Sequence, residues 1–552
     1  MTDVIRTPVR EFGLSGLVKD IRPWDVPMQA FTGAQDVRIE NASITTFGDV
    51  FDTLGPFVDD ATGLIDIVPE YADPFWIIGV GSVIMIVFSN GEVRSYYEVS
   101  ASGPASYTIH MAAGGFDITS DIYSSQSGGF WILTSITNFP QVLVASDVAV
   151  PLSLSDMPGW PVDYRAGIFE GYKNMLVAAE IEINGIPSPN LIKWSHPFST
   201  GDTQFFWDAT DPTLLAGETP IQSDGQGING LQPLRDSMMI YFDRSMWRMD
   251  FVGGQFVMNF RKVFSDDGAV GKYAFDNVEG KALVVGLRDI YMHDGVQKQS
   301  LSDGKISRWF YSQLQIGYPV RVARYPLRNE VWITYRNTPS GDADSCLVYN
   351  TLHDAFTSVS LQNVNTGEGD FLSIFLGPRL LSDVITYEDV SQLDPPPDGP
   401  TYLDFIAVSY AELFTAPEDT LFYGVSNNPG AVINLDANIG SSRLRRNVLI
   451  EHERIDLEQW LPTHGDKVIH ISRVYPQFSG IGRLQCRFGV SNSTNDNITW
   501  EAWQEFILAE DYAIDFRVAG RYLSFQIKPY TNEFPIFAIS GFDVEWAQIG
   551  EQ

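Results

Sequence analysis

The chain has 552 residues, with 69 Asp or Glu against 36 Lys or Arg, and a formal net charge of −33 that is spread along its length. An acid excess of that size repels phosphate, which argues against a protein that reads nucleic-acid sequence. Apolar residues make up 44% and aromatics 13%, enough for a sizeable core and too many for a disordered chain.

The length calls for one large domain and at least one smaller one. The opening, MTDVIRTPVREFGLSG, lacks the apolar stretch of a secretory signal. Residues 75–89, FWIIGVGSVIMIVFS, are strongly apolar but shorter than the ~18–20 residues of a membrane-spanning helix. Their Ile and Val content and their glycines predict two buried strands, and Asn90-Gly91 predicts a hairpin turn after them. No stable membrane insertion is expected.

Helical periodicity with caps is scarce along the whole chain, and short apolar runs split by turn residues dominate. A loose repeat recurs. Lys173-Asn174 precedes MLVAA and then LIKWS; Arg235-Asp236 precedes MMIYF and then MWRM. Glu279-Gly280 precedes ALVVGL and then IYMHDG; Arg328-Asn329 precedes VWITY and then CLVYN. The turn residues Asn174, Asp236, Gly280 and Asn329 are 62, 44 and 49 positions apart. Propeller blades repeat every ~40–50 residues with four strands each. The long first interval holds an insertion near residues 194–220. Residues 75 onward read as an earlier blade and 371–437 as a later, interrupted one, while 128–160 has no clear place. The expected fold is all-β: a six-bladed β-propeller with a C-terminal β-sandwich-like domain. A stack of sandwiches is the competing architecture.

Three segments are expected: 1–73 as an extended N-terminal platform, 74–443 as the propeller, and 444–552 as the sandwich. The sequence SQLDPPPDGP at 391–400 is a proline-rich insertion that cannot be a central strand. Near residue 444 the chain turns strongly charged, and from 467 it alternates as strands. The two cysteines, Cys346 and Cys486, are too few for a disulfide framework and are expected as buried thiols of a protein folded in a reducing cytoplasm.

Motifs that could carry chemistry are few. Gly225, Gly227 and Gly230 match the dinucleotide pattern, but a strand-like LQPLRDSMMIYF follows where the phosphate site needs a helix. The seven histidines, His110, His196, His293, His353, His452, His464 and His470, have no metal-binding spacing. Asp-Gly pairs at Asp224, Asp267, Asp294, Asp303 and Asp398 are explained by turn chemistry, and no calcium site is assigned to them. Ser493, Asn495, Asn497, Thr499 and Trp500 resemble the Asp-box hairpin of sialidase-type propellers, in which Trp anchors a turn. No catalytic, cofactor-binding or metal residue is assigned, and the chain is read as non-enzymatic.

A family resemblance rests on motif order. Residues 16–20 (GLVKD), 26–31 (VPMQAF) and 34–39 (AQDVRI) resemble the opening of tail proteins of short-tailed phages, with Asp36 where that pattern has Asn. Trp194-Ser195, Phe206-Trp207-Asp208, Ala216-Gly217, Leu234-Arg235-Asp236, Asp243-Arg244-Ser245-Met246-Trp247-Arg248 and Asp267-Gly268-Ala269 follow in order. After them come Arg288-Asp289-Ile290-Tyr291, Asp294-Gly295, residues 520–525 (GRYLSF) and 541–544 (GFDV). Together they are similar to the tail nozzle family, also called tail tubular protein B or phage stabilisation protein. The resemblance implies a virion protein made in the bacterial cytoplasm. It would form a homohexameric ring below the connector and adaptor proteins, contact tail fibres or a tail needle, and carry the outlet through which genomic DNA is retained and then ejected. An acidic lumen would let DNA slide without sticking. The rival reading is a propeller tailspike that binds or cleaves surface glycans; a host lectin-like propeller ranks below both.

Overall fold

The computed structural model describes residues 5–12, 14–58, 65–77, 81–98, 106–144, 153–199, 204–222, 227–254, 256–315, 317–363, 366–378, 420–427, 430–437, 447–457, 467–530 and 535–551. These form strands and turns, with one seven-residue helix, Ser307–Gln313, and two short 3-10 turns.

Seven antiparallel sheets among the described residues succeed one another as blades. Blade 1 begins with Pro69–Ile77, blade 2 with Tyr123–Ser127, blade 3 with Tyr164–Tyr172 and blade 4 with Ile228–Leu234. Blade 5 begins with Phe275–Val278, blade 6 with Arg321–Tyr325 and blade 7 with Phe371–Pro378. The turn residues of the repeat join first to second strands: Lys173, Asn174, Arg235, Glu279, Gly280 and Asn329 all have positive φ, as tight hairpins of right-twisted strands require.

Strand alternation explains the apolar runs. In the second strand of blade 1, Gly81–Phe88, the side chains of Ile84, Ile86 and Phe88 pack with Phe375, Tyr423 and Val432 of blade 7. Their neighbours Val83, Met85 and Val87 pack with Trp131 and Leu133 of blade 2. The apolar run 75–89 thus falls in two antiparallel strands, as expected: its first residues end Pro69–Ile77, and Gly81–Phe88 is buried on both faces. Blade 4 repeats the arrangement. Met238, Ile240 and Phe242 face blade 3, and Met239 and Tyr241 face the cluster that contains blade 5.

The blade number corrects the expectation of six. The segment 128–160, left without a place by sequence, contributes to a four-stranded blade of Tyr123–Ser127, Phe130–Thr134, Gln141–Val144 and Ser155–Asp156, and Phe371–Pro378, Thr420–Asn427 and Gly430–Ala437 are three strands of another. The fourth strand of blade 7 is Asp49–Leu54, antiparallel to Gly430–Ala437 with Leu54 opposite Val432. A strand near the N-terminus thus closes the propeller beside the last blade. The proline-rich 391–400 lies outside the described residues.

Two small pairs, Gly16–Leu17 with Ala30–Phe31 and Phe57–Val58 with Ile65–Ile67, stand apart, and the other strands form a two-sheet sandwich. One sheet runs Ile514–Gly520, Lys467–Ile481, Ile536–Glu551, Ser43–Thr46 and Val37–Glu40, with Ile5–Arg10 also paired to Ile536–Glu551. The other contains Gly33–Gln35, Leu449–Asp456, Tyr522–Pro529, Arg483–Ser491, Thr499–Trp500 and Gln504–Ile507. Residues 1–73 are accordingly shared out: their first strands complete the sandwich and Asp49–Leu54 completes blade 7. The aromatic centre shows the interlock. Phe12 lies 5.3 Å from Phe31, 5.6 Å from Phe525 and 5.3 Å from Phe542.

Blade 6 and the sandwich are continuous through Gly33–Gln35, which pairs with Ala355–Ser360 on one side and Leu449–Asp456 on the other. Asp36 follows at φ +53°, a conformation that short polar residues tolerate. Its buried carboxylate accepts the backbone N–H groups of Ser360 (2.8 Å) and Asn447 (2.7 Å). Arg38 is buried between two carboxylates. Its Nε donates to Glu330 (2.6 Å), and its Nη1 to Asp436 (3.0 Å). Asp436 also accepts from the Gly48 N–H (3.1 Å) and the Tyr325 hydroxyl (3.0 Å). The flanking cations hold the Asp436 carboxyl below its ordinary range against the opposing effect of burial. This cluster ties the N-terminal segment to blades 6 and 7.

Candidate functional site: the axial chamber

The first strands of all seven blades converge on a cavity of about 340 Å³. Blade 1 contributes Tyr71 to Pro74, blade 2 Tyr123 and Ser124, blade 3 Glu170, and blade 4 Leu231 to Pro233. Phe275 and Asp276 of blade 5, Arg321 to Arg324 of blade 6 and Ser373 to Leu376 of blade 7 complete the wall, with Lys272 and Tyr273 beside them. Blade faces are occupied by apolar packing, so polar side chains of the inner strands collect on the axis.

Hydroxyl–carboxyl pairs dominate the wall. Ser124 Oγ donates to Asp73 (2.6 Å) and lies 3.2 Å from the Tyr71 hydroxyl. The Tyr123 hydroxyl donates to Glu170 (2.5 Å). Asp276 accepts the backbone N–H groups of Arg324 (2.7 Å) and Asn277 (2.6 Å). Burial pushes Asp73 up to about 7 despite its hydrogen bond from Ser124. Burial, reinforced by the Asp73 charge, pushes Glu170 up to about 8. Asp276 is raised by burial to about 6, its backbone hydrogen bonds opposing the rise. Burial likewise lifts the Tyr71 and Tyr123 phenols well above their ordinary value, and Tyr273 to about 12.

Three cationic residues, Lys272, Arg321 and Arg324, stand in the wall, and Arg324 donates to the Asn277 carbonyl (3.2 Å). The Arg321 guanidinium lies 3.9 Å over the Tyr273 ring, and its Nε has no hydrogen-bond partner among the described residues. Lys272 pairs with Glu180 at 2.6 Å. Below neutral pH Asp73 and Glu170 both hold protons, and this side of the chamber is then a network of O–H groups facing a guanidinium. Such a wall can hydrogen-bond a small polar molecule or ordered water. Its volume excludes a nucleic-acid duplex. No histidine or cysteine lines it among the described residues.

The residues singled out from sequence lie elsewhere. Gly227 precedes the strand Ile228–Leu234 and Gly230 lies within it, with another strand and not a helix following; Gly225 lies outside the described residues. His110 bonds Ser95 (2.7 Å), and His293 bonds Tyr241 (2.9 Å), with burial pushing His293 down to about 4. His464 is outside the described residues, among which no cluster of metal-ligating side chains occurs. Asp294 accepts the N–H groups of Val296 and Gln297 in its turn, whereas Asp224 and Asp398 fall outside the described residues. The Asp-box-like hairpin belongs to the sandwich, where Ser493 Oγ accepts the Asn495 N–H (3.2 Å). Both cysteines are buried free thiols.

Sequence reading missed the chamber because each blade supplies only one to four of its residues. The available signal was a polar residue inside the first strand of successive blades: Asp73, Ser124, Glu170, Gln232, Asp276 and Ser373.

The fold places the chain among all-β, propeller-like proteins. No family model matches its sequence, and no curated protein matches it. Among solved structures it is similar to the AfRom2 CNH domain, at 12% identity and a TM-score of 0.29, over 55% of this chain and 95% of that one. No helix among the described residues is long and apolar enough to cross a membrane.

Proposed function

We propose that the chain is a structural subunit of a short phage tail, forming the distal nozzle ring that continues the DNA channel, retains the genome and opens for ejection. One observation carries this reading: several of the motif residues that give the family resemblance join distant parts of the molecule, and none of the motif residues lines the axial chamber. Asp36 and Arg38 tie the sandwich to blades 6 and 7. Asp543 pairs with Arg6 (2.6 Å) and Arg10 (2.5 Å), drawing the two ends of the chain together. Gly541 admits the N-terminal strand, since a Cβ there would lie 2.1 Å from the Val9 carbonyl oxygen. Trp207 packs edge-on to Trp160 at 4.7 Å in a core shared by blades 2 and 3.

Residues that join distant parts of the chain suit a structural subunit under mechanical stress. The chamber is too small for duplex DNA, so the channel of this reading runs between subunits, around the axis of a ring. Electron cryomicroscopy of virions containing the chain tests it. Six copies in an axial ring at the tail end are expected, and three-fold clusters at the periphery would replace the nozzle with a tailspike.

A further inference from the structure

The outward face of the sandwich breaks the charge pattern of the molecule. Strand Arg483–Ser491 buries Leu484, Cys486 and Phe488 and turns Arg483, Gln485 and Arg487 outward. The adjacent strand Tyr522–Pro529 buries Phe525 and Ile527 and turns Gln526 and Lys528 to the same side. Three aromatic rings lie among these side chains. Arg487 is 4.6 Å from the Trp500 ring and 4.4 Å from the Trp503 ring; Lys528 is 4.1 Å from Trp503; and Arg483 is 4.2 Å from Tyr530.

The Asp-box-like hairpin provides the platform. It returns Trp500 over Gly489, where a Cβ would lie 2.8 Å from the indole. The missing side chain lets the ring lie against the sheet. Arg487 is steadied by its Nε bond to Gln526 (2.7 Å).

Charge is the deciding feature. Arg483 pairs with Glu505 at 3.0 Å. Arg487 and Lys528 have no carboxylate partner among the described residues, in a chain with nearly two acids for every base. Two cations without an ion pair crowd one indole, while Glu451 and Glu505 stand at the two edges of the face, beside Gln526 and Gln485. The ring face offsets part of their repulsion, and an anion placed between them would offset far more.

We propose that this face binds an anionic saccharide, a sugar chain bearing carboxylate or phosphate groups. The rings of Trp500, Trp503 and Tyr530 would stack against sugar C–H faces, Arg487 and Lys528 would hold the charged group, and Gln485 would meet hydroxyls. A nucleic acid suits the face less. Every unit of its backbone carries a phosphate, more than two cations in a −33 chain can offset, whereas a saccharide with one charged residue among neutral ones brings no more charge than Arg487 and Lys528 hold. The proposal is independent of the ring reading.

The test is isothermal titration of the full chain with an oligosaccharide carrying a single carboxylated sugar, an oligosaccharide carrying a single phosphate, an uncharged malto-oligosaccharide and a single-stranded DNA oligomer. Saturable binding of at least one anionic saccharide is expected, weaker in high salt and stronger than that of the uncharged sugar or the DNA. Lys528→Gln should weaken it about tenfold, the scale of one lost charge-assisted hydrogen bond. Trp503→Ala should weaken it further while circular dichroism stays unchanged. If Trp503→Ala does not fold, Lys528→Gln alone decides. Absence of saccharide binding, tighter binding of DNA, or an unaltered Lys528→Gln variant would overturn the proposal.

Discussion

Asp73 and Glu170 show how burial on the propeller axis changes what a carboxyl does. In an unfolded chain both would titrate near ~4; folded, they titrate at about 7 and about 8. Folding therefore favours their protonated forms. The stability they contribute is complete below about pH 4 and is lost as pH rises through 7 to 8. The thermal midpoint should fall between pH 5 and pH 8.5. The double variant Asp73→Asn, Glu170→Gln keeps acceptors for Ser124 and Tyr123 and should fall less over the same range, leaving only the slope due to general charge repulsion. An identical slope in parent and variant, followed by calorimetry, would contradict the proton-holding chamber.

Individual strands of the N-terminal segment are too short to hold their places alone. Gly33–Gln35 has three residues and Val37–Glu40 has four. Gly33–Gln35 is fixed by strands more than 300 positions away, whereas Val37–Glu40 pairs locally with Ser43–Thr46 and is tied to the distant blades by Arg38, which satisfies Glu330 and Asp436 together. Arg38→Met would leave Glu330 buried with only the Trp332 N–H as a partner. Loss of one member of a buried ion pair costs about 3–5 kcal/mol. Urea denaturation should register a loss of that size, with earlier proteolysis in the first 58 residues. A loss below about 1 kcal/mol, the scale of an exposed ion pair, would show that strand pairing alone secures the segment.

At the scale of the molecule, propeller and sandwich share a ten-stranded sheet and a hydrophobic cluster reaching from blade 4 to the sandwich core. Each proposed ring subunit would therefore enter assembly as one unit carrying its −33 charge. Six such subunits repel one another, and salt screens that repulsion over a Debye length of ~10 Å at 0.1 M. Sedimentation of the purified chain should show more hexamer as salt is raised from low to moderate concentration. A decrease would mean that ion pairs between subunits dominate the contact.

The blade repeat was legible because it is local. MLVAA, MMIYF and VWITY are continuous apolar runs since each strand is buried on both faces, and the positive-φ turns before them leave a mark in the residues they accept. The sandwich was legible from alternation after residue 467, where one face meets the core and the other meets water. The composition and the strand pattern by themselves determined an all-β chain with many short strands. Only the tertiary structure decided the seventh blade, the division of the N-terminal strands between two bodies, and the chamber. Each of these joins residues tens to hundreds of positions apart, and local periodicity carries no information about which distant strand supplies a missing edge or which polar side chains meet on an axis.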